Sequence, residues 1–336
     1  MSEVDDSKIS MSKAMHARYG CSPQVHGDIT LRNPKDMDQV DLFVSGAPCP
    51  AYSTAGLKKG IKDLRGCVIL HSLKYIVLRR PAVACLENVK GMTHKSHKQV
   101  LDKIIEVLKS CNYKVTAAIL NTADHGIPQN RERLYLVAVH RSKLDKTRGN
   151  FKFPGPVTMP KLKRFLVHKC QQASELSERE RGMVKALRQK IGIARPEKLE
   201  DEVVMDIGAT MQFANVMNGV SPCLTKTRSA SGGYYLYTSQ RFMNVYEIGG
   251  LQGWPKSWVD QLLEVQPKSK VGAGFGDAMS LNILMRILPR ACHAAGLVPP
   301  CADVWESIPE RGLGLLPGSL YERENPMDPR LQPIWV

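Results

Sequence analysis

The sequence predicts an α/β protein built on a mainly parallel sheet, and three observations predict it. Between Asp41 and His140, short β-rich runs alternate with stretches of helical periodicity, the pattern of βαβ units. The ends of the first two runs, Gly46-Ala-Pro-Cys49 and Glu87-Asn88-Val89, place polar chemistry where loops leave the carboxyl edge of such a sheet. A hydrophobic content of 43% with 24% charged residues supplies a large core and excludes a predominantly disordered chain.

The strands read as residues 41–45, 82–86, 114–120 and 133–139. Between the first two, Val68, Leu73, Ile76 and Val77 recur at helical spacing over residues 64–80, and Pro81 forbids continuation. Between the second and third, Val100, Leu101, Ile104, Ile105 and Leu108 form an apolar stripe, with Ser96 placed to cap that helix. Only about a dozen residues, including Gly126 and Pro128, separate the last two strands; this is too short for a helical crossover and predicts an antiparallel pair at one side of the sheet. Residues 157–200 are rich in Lys, Arg and Glu and read as solvated helix. Residues 206–240, with Thr225-Lys-Thr-Arg-Ser229 and Gly232-Gly-Tyr-Tyr235, read as turn-rich, mobile chain. Compact structure is expected again over 241–254 and 271–288, and the Pro- and Gly-rich residues 297–336 are expected to form a flexible tail.

Forty-seven Lys and Arg against 32 Asp and Glu leave a net charge of +15, which suits a polyanionic partner. No apolar run approaches the roughly 18 residues that a membrane span needs, and the acidic, polar start is unlike a signal peptide, so an intracellular protein with no secretion signal is expected. The nine cysteines are odd in number and form no C-x-x-C pair. That argues against a disulfide framework or a cysteine zinc site. His94 and His97 sit in a polar turn with no cysteine pair nearby, so no metal is expected.

Cys49, between two prolines at the carboxyl end of the first strand, can present a thiolate to a substrate, although in isolation a buried structural cysteine is the better reading. Glu87 stands at the same edge and can act as an acid or hydrogen-bond partner for a substrate ring, or simply cap the next helix. Arg131 and Arg133, two apart, share one strand face, and their donor forks suit phosphate or base oxygens; a surface charge run is the alternative. A cysteine hydrolase reading lacks a histidine motif, since His125 alone is available.

Taken together, these motifs resemble those of the cytosine-5 DNA methyltransferase family in order and spacing. Gly46-Ala-Pro48-Cys49 through Ser53 and Gly56 is similar to its nucleophile loop, Glu87-Asn88-Val89 to its Glu-Asn-Val motif, and Gln129 through Arg133 to its Gln-x-Arg-x-Arg motif. Gly27-Asp28-Ile29 resembles the segment that contacts the cofactor adenine, and Asp63-Leu-Arg-Gly66 the start of the helix under the cofactor. Leu251-Gln-Gly-Trp-Pro255, with Arg241 and Glu247, resembles the support of the target-recognition region, and Gly276-Asp277-Ala278-Met279 the closing motif. The resemblance runs from about residue 28 to residue 288.

It implies a Rossmann-like S-adenosylmethionine-dependent methyltransferase sheet, lacking its first strand, with a small target-recognition region. The corresponding divisions are 1–26, a remnant of the cofactor-binding part; 27–150, the catalytic domain; 151–240, target recognition; 241–296, a return to the catalytic domain; and 297–336, a tail. It also implies that Cys49 adds to C6 of a flipped-out cytosine while Glu87 holds N3 and the exocyclic amine, and that C5 then takes the methyl group of S-adenosyl-L-methionine. Arg133 would hold the base carbonyl, and Arg131 would order Glu87 or a phosphate. Asp28, Ile29, Pro48, Val68 and Asp277 would line the cofactor. Ser53, Asn88, Gln129, Lys226 and Arg228 would meet the substrate, with Tyr234, Tyr235 and Tyr237 near a groove. The implied partner is double-stranded DNA, met by a monomer with no membrane attachment, in the nucleus if the cell has one.

Three departures stand out. Nothing before Asp28 resembles the family's Phe-x-Gly-x-Gly loop, which reads as an incomplete cofactor site or a truncated start. Pro50 stands where the family usually has Gln, and Asp277 where it usually has Asn, which places an acid toward the cofactor carboxylate. A catalytically impaired DNA-binding relative and a tRNA cytosine-5 methyltransferase are the alternatives these departures leave.

Overall fold

A computed structural model describes residues 1–47, 68–144, 147–166, 175–192 and 199–306. The central sheet is built from β1 (Leu42–Gly46), β2 (Val83–Val89), β3 (Tyr113–Asn121) and β4 (Glu132–His140), in the order β1-β2-β4-β3. β1 and β2 are parallel, in register from Leu42 opposite Val83 to Gly46 opposite Glu87. The helix between them, α2 (Val68–Arg79), buries Ile69, Leu73 and Ile76 and ends just before Pro81. The next crossover helix, α3 (Lys98–Ser110), buries Leu101, Ile104 and Leu108. Its N-cap is His97 rather than the expected Ser96.

β3 and β4 pair antiparallel, as their short connection requires. β4 then inserts between β3 and β2 and runs antiparallel to β2 as well. The described sheet is therefore mixed, with one parallel and two antiparallel pairs, rather than mainly parallel. The cause is the short return of β4, which fills the place that a further crossover strand would have taken.

Alternation gives the sheet two apolar faces. Ala84, Leu86, Leu134, Leu136 and Ala138 pack under α2 and α3. Val83, Cys85, Tyr135, Val137 and Val139 pack against Ile283, Ile287 and Ala291 of α9 (Leu281–Ala294). Each large side chain buried in this way contributes about 1.5–3 kcal/mol, and this double cover holds the carboxyl edge of β2 rigidly.

The stretch expected to be turn-rich and mobile forms a second sheet. Its strands, β5 (Val203–Asp206), β6 (Val216–Asn218), β7 (Tyr234–Leu236) and β8 (Arg241–Phe242), are all antiparallel in the order β6-β5-β7-β8. One face packs Val203, Met205, Tyr235 and Tyr237 against Met183 and Leu187 of α4 (Glu178–Ile191). The other sends Val204, Tyr234 and Leu236 into a core shared with the helices that follow. Tyr234, Tyr235 and Tyr237 are thus buried and do not face a groove. α4 carries a capping box between Ser177 and Glu180 and ends at Gly192 in the left-handed conformation.

The remaining helices are α1 (Asp6–Ala17), α5 (Lys226–Ser231), α6 (Val245–Leu251), α7 (Lys256–Val265) and α8 (Lys268–Asp277). α1 lies on α7 and α8, with Gln261 Nε2 donating to the Ala14 carbonyl at 2.8 Å and Met11 against Gly274. α5 seats directly on the glycines of α8. The buried Arg241–Glu247 pair, joined at 2.6 and 2.9 Å, ties β8 to the first turn of α6.

The chain after residue 297 is not a flexible tail as far as Glu306. Trp305 is among the most deeply buried side chains, and Asp303 accepts from Arg286 Nε at 2.8 Å. The other arm of Arg286 meets Nδ1 of buried His125. Burial, and then the Arg286 charge, pull His125 from its ordinary 6.5 down to about 4, so it is neutral at physiological pH. The unfolded chain takes up this proton first as pH falls, so the stability His125 contributes is complete above pH 6.5 and is lost as pH falls through about 4. His125→Gln is expected to flatten the stability profile in that window by up to about 3 kcal/mol, measured by denaturant titration at each pH.

Candidate active site

Parallel pairing sets Gly46 beside Glu87 at the carboxyl ends of β1 and β2. A Cβ at Gly46 would stand 3.6 Å from both Glu87 Oε2 and the Met279 methyl, so the strand end, the carboxylate and the closing segment meet at one point. Glu87 is 8% exposed. Burial pushes its carboxyl above the ordinary value, while Arg133 and Arg131 pull the other way without cancelling the effect. Arg133 Nε lies 3.2 Å from Glu87 Oε1, with its Nη1 on the Glu132 carbonyl at 2.9 Å. Burial works against the Arg133 charge, but Cys223 and Glu87 hold its pKa above the ordinary range, so the group beside Glu87 is a fixed cation.

Arg131 is turned inward. Its Nη1 donates to the Leu224 carbonyl at 2.9 Å and its Nη2 to the Ala278 carbonyl at 2.8 Å. It therefore ties the segment before α5 and the closing segment to β4, and its two Nη groups are taken up by backbone carbonyls and Cys223 rather than offered to a phosphate. Gln129 is likewise fully buried, with Nε2 donating to the Leu251 carbonyl at 2.6 Å and Oε1 accepting from Leu224 N at 3.2 Å. It holds this loop together and does not reach the surface. Asn88 is buried, its Oδ1 accepting from Val89 N at 2.9 Å.

Asp277 does not face the cofactor side as a lone acid. Lys8 Nζ of α1 lies 2.8 Å from its Oδ2 and Lys226 Nζ 3.4 Å. Arg228 pairs with Asp206 at 3.3 Å. Asp28 accepts from Thr30 N at 2.8 Å in the loop before β1, Ile29 is half-buried beside it, and Val68 packs under the sheet at the start of α2. Pro48, Cys49 and Ser53 lie outside the described residues.

Two participants escaped the sequence reading. Cys223 Sγ is 3.6 Å from both Arg131 Nη1 and Arg133 Nη2, and bridges the two guanidinium groups. Lys8, near the chain start, neutralises Asp277 near the opposite end. Neither carries a local sequence signal, because each acts only through a partner distant along the chain.

The sequence model of the C-5 cytosine-specific DNA methylase family matches residues 2–290. The type II methyltransferase M.SsoII of Shigella sonnei is 38% identical over 145 residues, which are 43% of this chain and 38% of the relative. M1.ScrFI of Lactococcus lactis subsp. cremoris is 36% identical over 46% of this chain and 39% of the relative, so the chain spans about two-fifths of the length of these relatives. M.HhaI of Haemophilus parahaemolyticus is 26% identical over 80% of each chain. Among solved structures, the methyltransferase EhMeth of Entamoeba histolytica superposes with a TM-score of 0.59 at 13% identity, over 87% of this chain and 88% of that one. A Spodoptera frugiperda DNMT2 variant superposes with a TM-score of 0.57 at 15% identity, over 86% and 91%. These superpositions show a Rossmann-like methyltransferase fold, and the family match, extending over nearly the whole chain, shows that the chain belongs to the C-5 cytosine-specific DNA methylase family.

Proposed function

We propose that this chain is a DNA (cytosine-5)-methyltransferase acting on a flipped-out base in double-stranded DNA. The observation that carries the reading is Glu87, buried at the carboxyl end of β2, beside the strand that leads to Cys49 and paired with Arg133. A carboxyl whose pKa is raised by burial can keep a proton to donate to ring N3 and accept from the exocyclic amine with its second oxygen. That proton draws electrons toward N3 as the Cys49 thiolate forms its bond to C6, so that electron density gathers on C5. Arg133 holds the carboxyl in place and is near enough to hold the base carbonyl. Once C5 is methylated, loss of its proton and departure of Cys49 restore the aromatic ring.

S-adenosylmethionine, when bound, supplies the methyl group. The donor set fits its amino-acid end: the carboxylate of Asp277 suits an ammonium, and Lys8 and Lys226 beside it suit a carboxylate. Asp28, Ile29, Val68 and Pro48 are assigned to the rest of the cofactor, and Ser53 to the DNA side. Arg228, held by Asp206, supports the segment that carries Lys226. A net charge of +15 supports a phosphate-backbone partner. The test is transfer of tritiated methyl groups from S-adenosylmethionine to duplex DNA and to transfer RNA in parallel. Incorporation into DNA that Glu87→Gln abolishes supports the reading; incorporation into RNA alone replaces it with the RNA enzyme.

A further inference from the structure

The segment that follows the family match folds back behind the arginine loop. Asp303 Oδ2 accepts from Arg286 Nε at 2.8 Å and from Arg290 Nη2 at 3.0 Å, and Arg286 reaches on to His125. Trp305 is 1% exposed and lies against Gly126, where a Cβ would stand 2.9 Å from its ring. Gly126 has a φ of +92°, so both the space and the backbone there require glycine. Asn282 Nδ2 of the same helix, α9, donates to the His125 carbonyl at 2.9 Å, and Ser280 at its start meets Thr122 at 2.6 Å. Thr122 N in turn donates to the Arg131 carbonyl at 3.1 Å. The turn 122–126 is thus held between α9 and residues 303–305, and the same stretch of chain delivers Arg131 and Arg133 to Glu87.

We propose that Asp303 and Trp305, which lie beyond the span 2–290 that the family model matches, are positioning residues for Arg131 and Arg133. They touch neither the base nor Glu87. They act by fixing His125 and Gly126, so that the arginines hold the register in which Arg133 pairs with Glu87 and both guanidinium groups meet Cys223. The effect on turnover rests on the methyltransferase reading above, whereas the effect on the loop does not.

Cys223 therefore supplies a readout independent of activity. Full-length Trp305→Ala, Asp303→Asn and the conservative Trp305→Phe are compared for the rate of Cys223 alkylation by iodoacetamide, followed by peptide mass spectrometry, and for kcat and KM on duplex DNA. Loosening the turn is expected to raise Cys223 labelling and lower kcat by about tenfold each in Trp305→Ala, with the KM for DNA little changed, because an ångström of misplacement at this distance is costly to catalysis. Asp303→Asn, which keeps the side-chain shape and the core, should move the same way to a smaller extent, and Trp305→Phe should restore both values. Leu187→Ala, in the separate core under α4, serves as the control for simple loss of stability and should leave Cys223 labelling unchanged. Unchanged labelling in both Trp305→Ala and Asp303→Asn, or an equal rise in Leu187→Ala, overturns the proposal. A wild type that transfers no methyl group but shows the labelling pattern overturns the methyltransferase reading and leaves the brace standing.

Discussion

Glu87→Gln is expected to lower methyl transfer by about a thousandfold while leaving DNA affinity within a few-fold of wild type. The amide keeps the shape and one acceptor but cannot give a proton to the ring, so the interaction lost is one that grows as C6 is attacked. Loss in kcat with unchanged KM is the expected split. The pH dependence separates this from a packing effect. Burial raises the Glu87 carboxyl above its ordinary value, so its protonated fraction, and the rate it supports, fall as pH rises through the shifted value. Glu87→Gln should remove that limb.

Gly276→Ala is expected to destabilise the protein by about 3 kcal/mol, at the upper end for overpacking. Its Cβ would lie 2.4 Å from Lys226 N and from the Thr225 carbonyl carbon, and both are backbone atoms that no rotamer change can move. At Gly272, one turn earlier, a Cβ would lie 2.2 Å from the Ser229 carbonyl. Either alanine must push α5 off α8, against a gain of only about 1 kcal/mol from helix propensity. Because Arg131 caps the Leu224 and Ala278 carbonyls on either side of this contact, activity should fall with stability. Gly182→Ala on α4, with nothing within 4 Å of its Cβ, should instead raise stability by up to about 1 kcal/mol. Thermal melts of the three variants check the contrast.

The central sheet was legible because its strands are two-sided and the first three are separated by helices with a clear apolar stripe, as α3 shows with Leu101, Ile104 and Leu108. Glu87 and Arg133 were legible because both sit at strand ends that local pattern locates. The direction of β2 against β4 was not, since pairing order depends on where a returning strand inserts. The second sheet escaped because its strands are two to four residues long, shorter than any periodic window, and lie among Gly and Ser. Trp305 escaped for a related reason: one aromatic in a Pro- and Gly-rich stretch has no period, and its seat at Gly126 is fixed from far along the chain. The Asp277 departure looked unfavourable alone and is compensated by Lys8 and Lys226, a pairing visible only once α1 and α5 are docked. Among the described residues no helix is long and apolar enough to cross a membrane.

The most direct test of covalent cytosine chemistry uses tritiated S-adenosylmethionine and a duplex oligonucleotide carrying 5-fluorocytosine, in which fluorine at C5 blocks the final elimination and traps the adduct. The account predicts a labelled protein–DNA complex that survives denaturation, is absent in Cys49→Ser and is strongly reduced in Glu87→Gln. A wild-type chain that binds this duplex without forming the complex, or a complex that persists in Cys49→Ser, would contradict it.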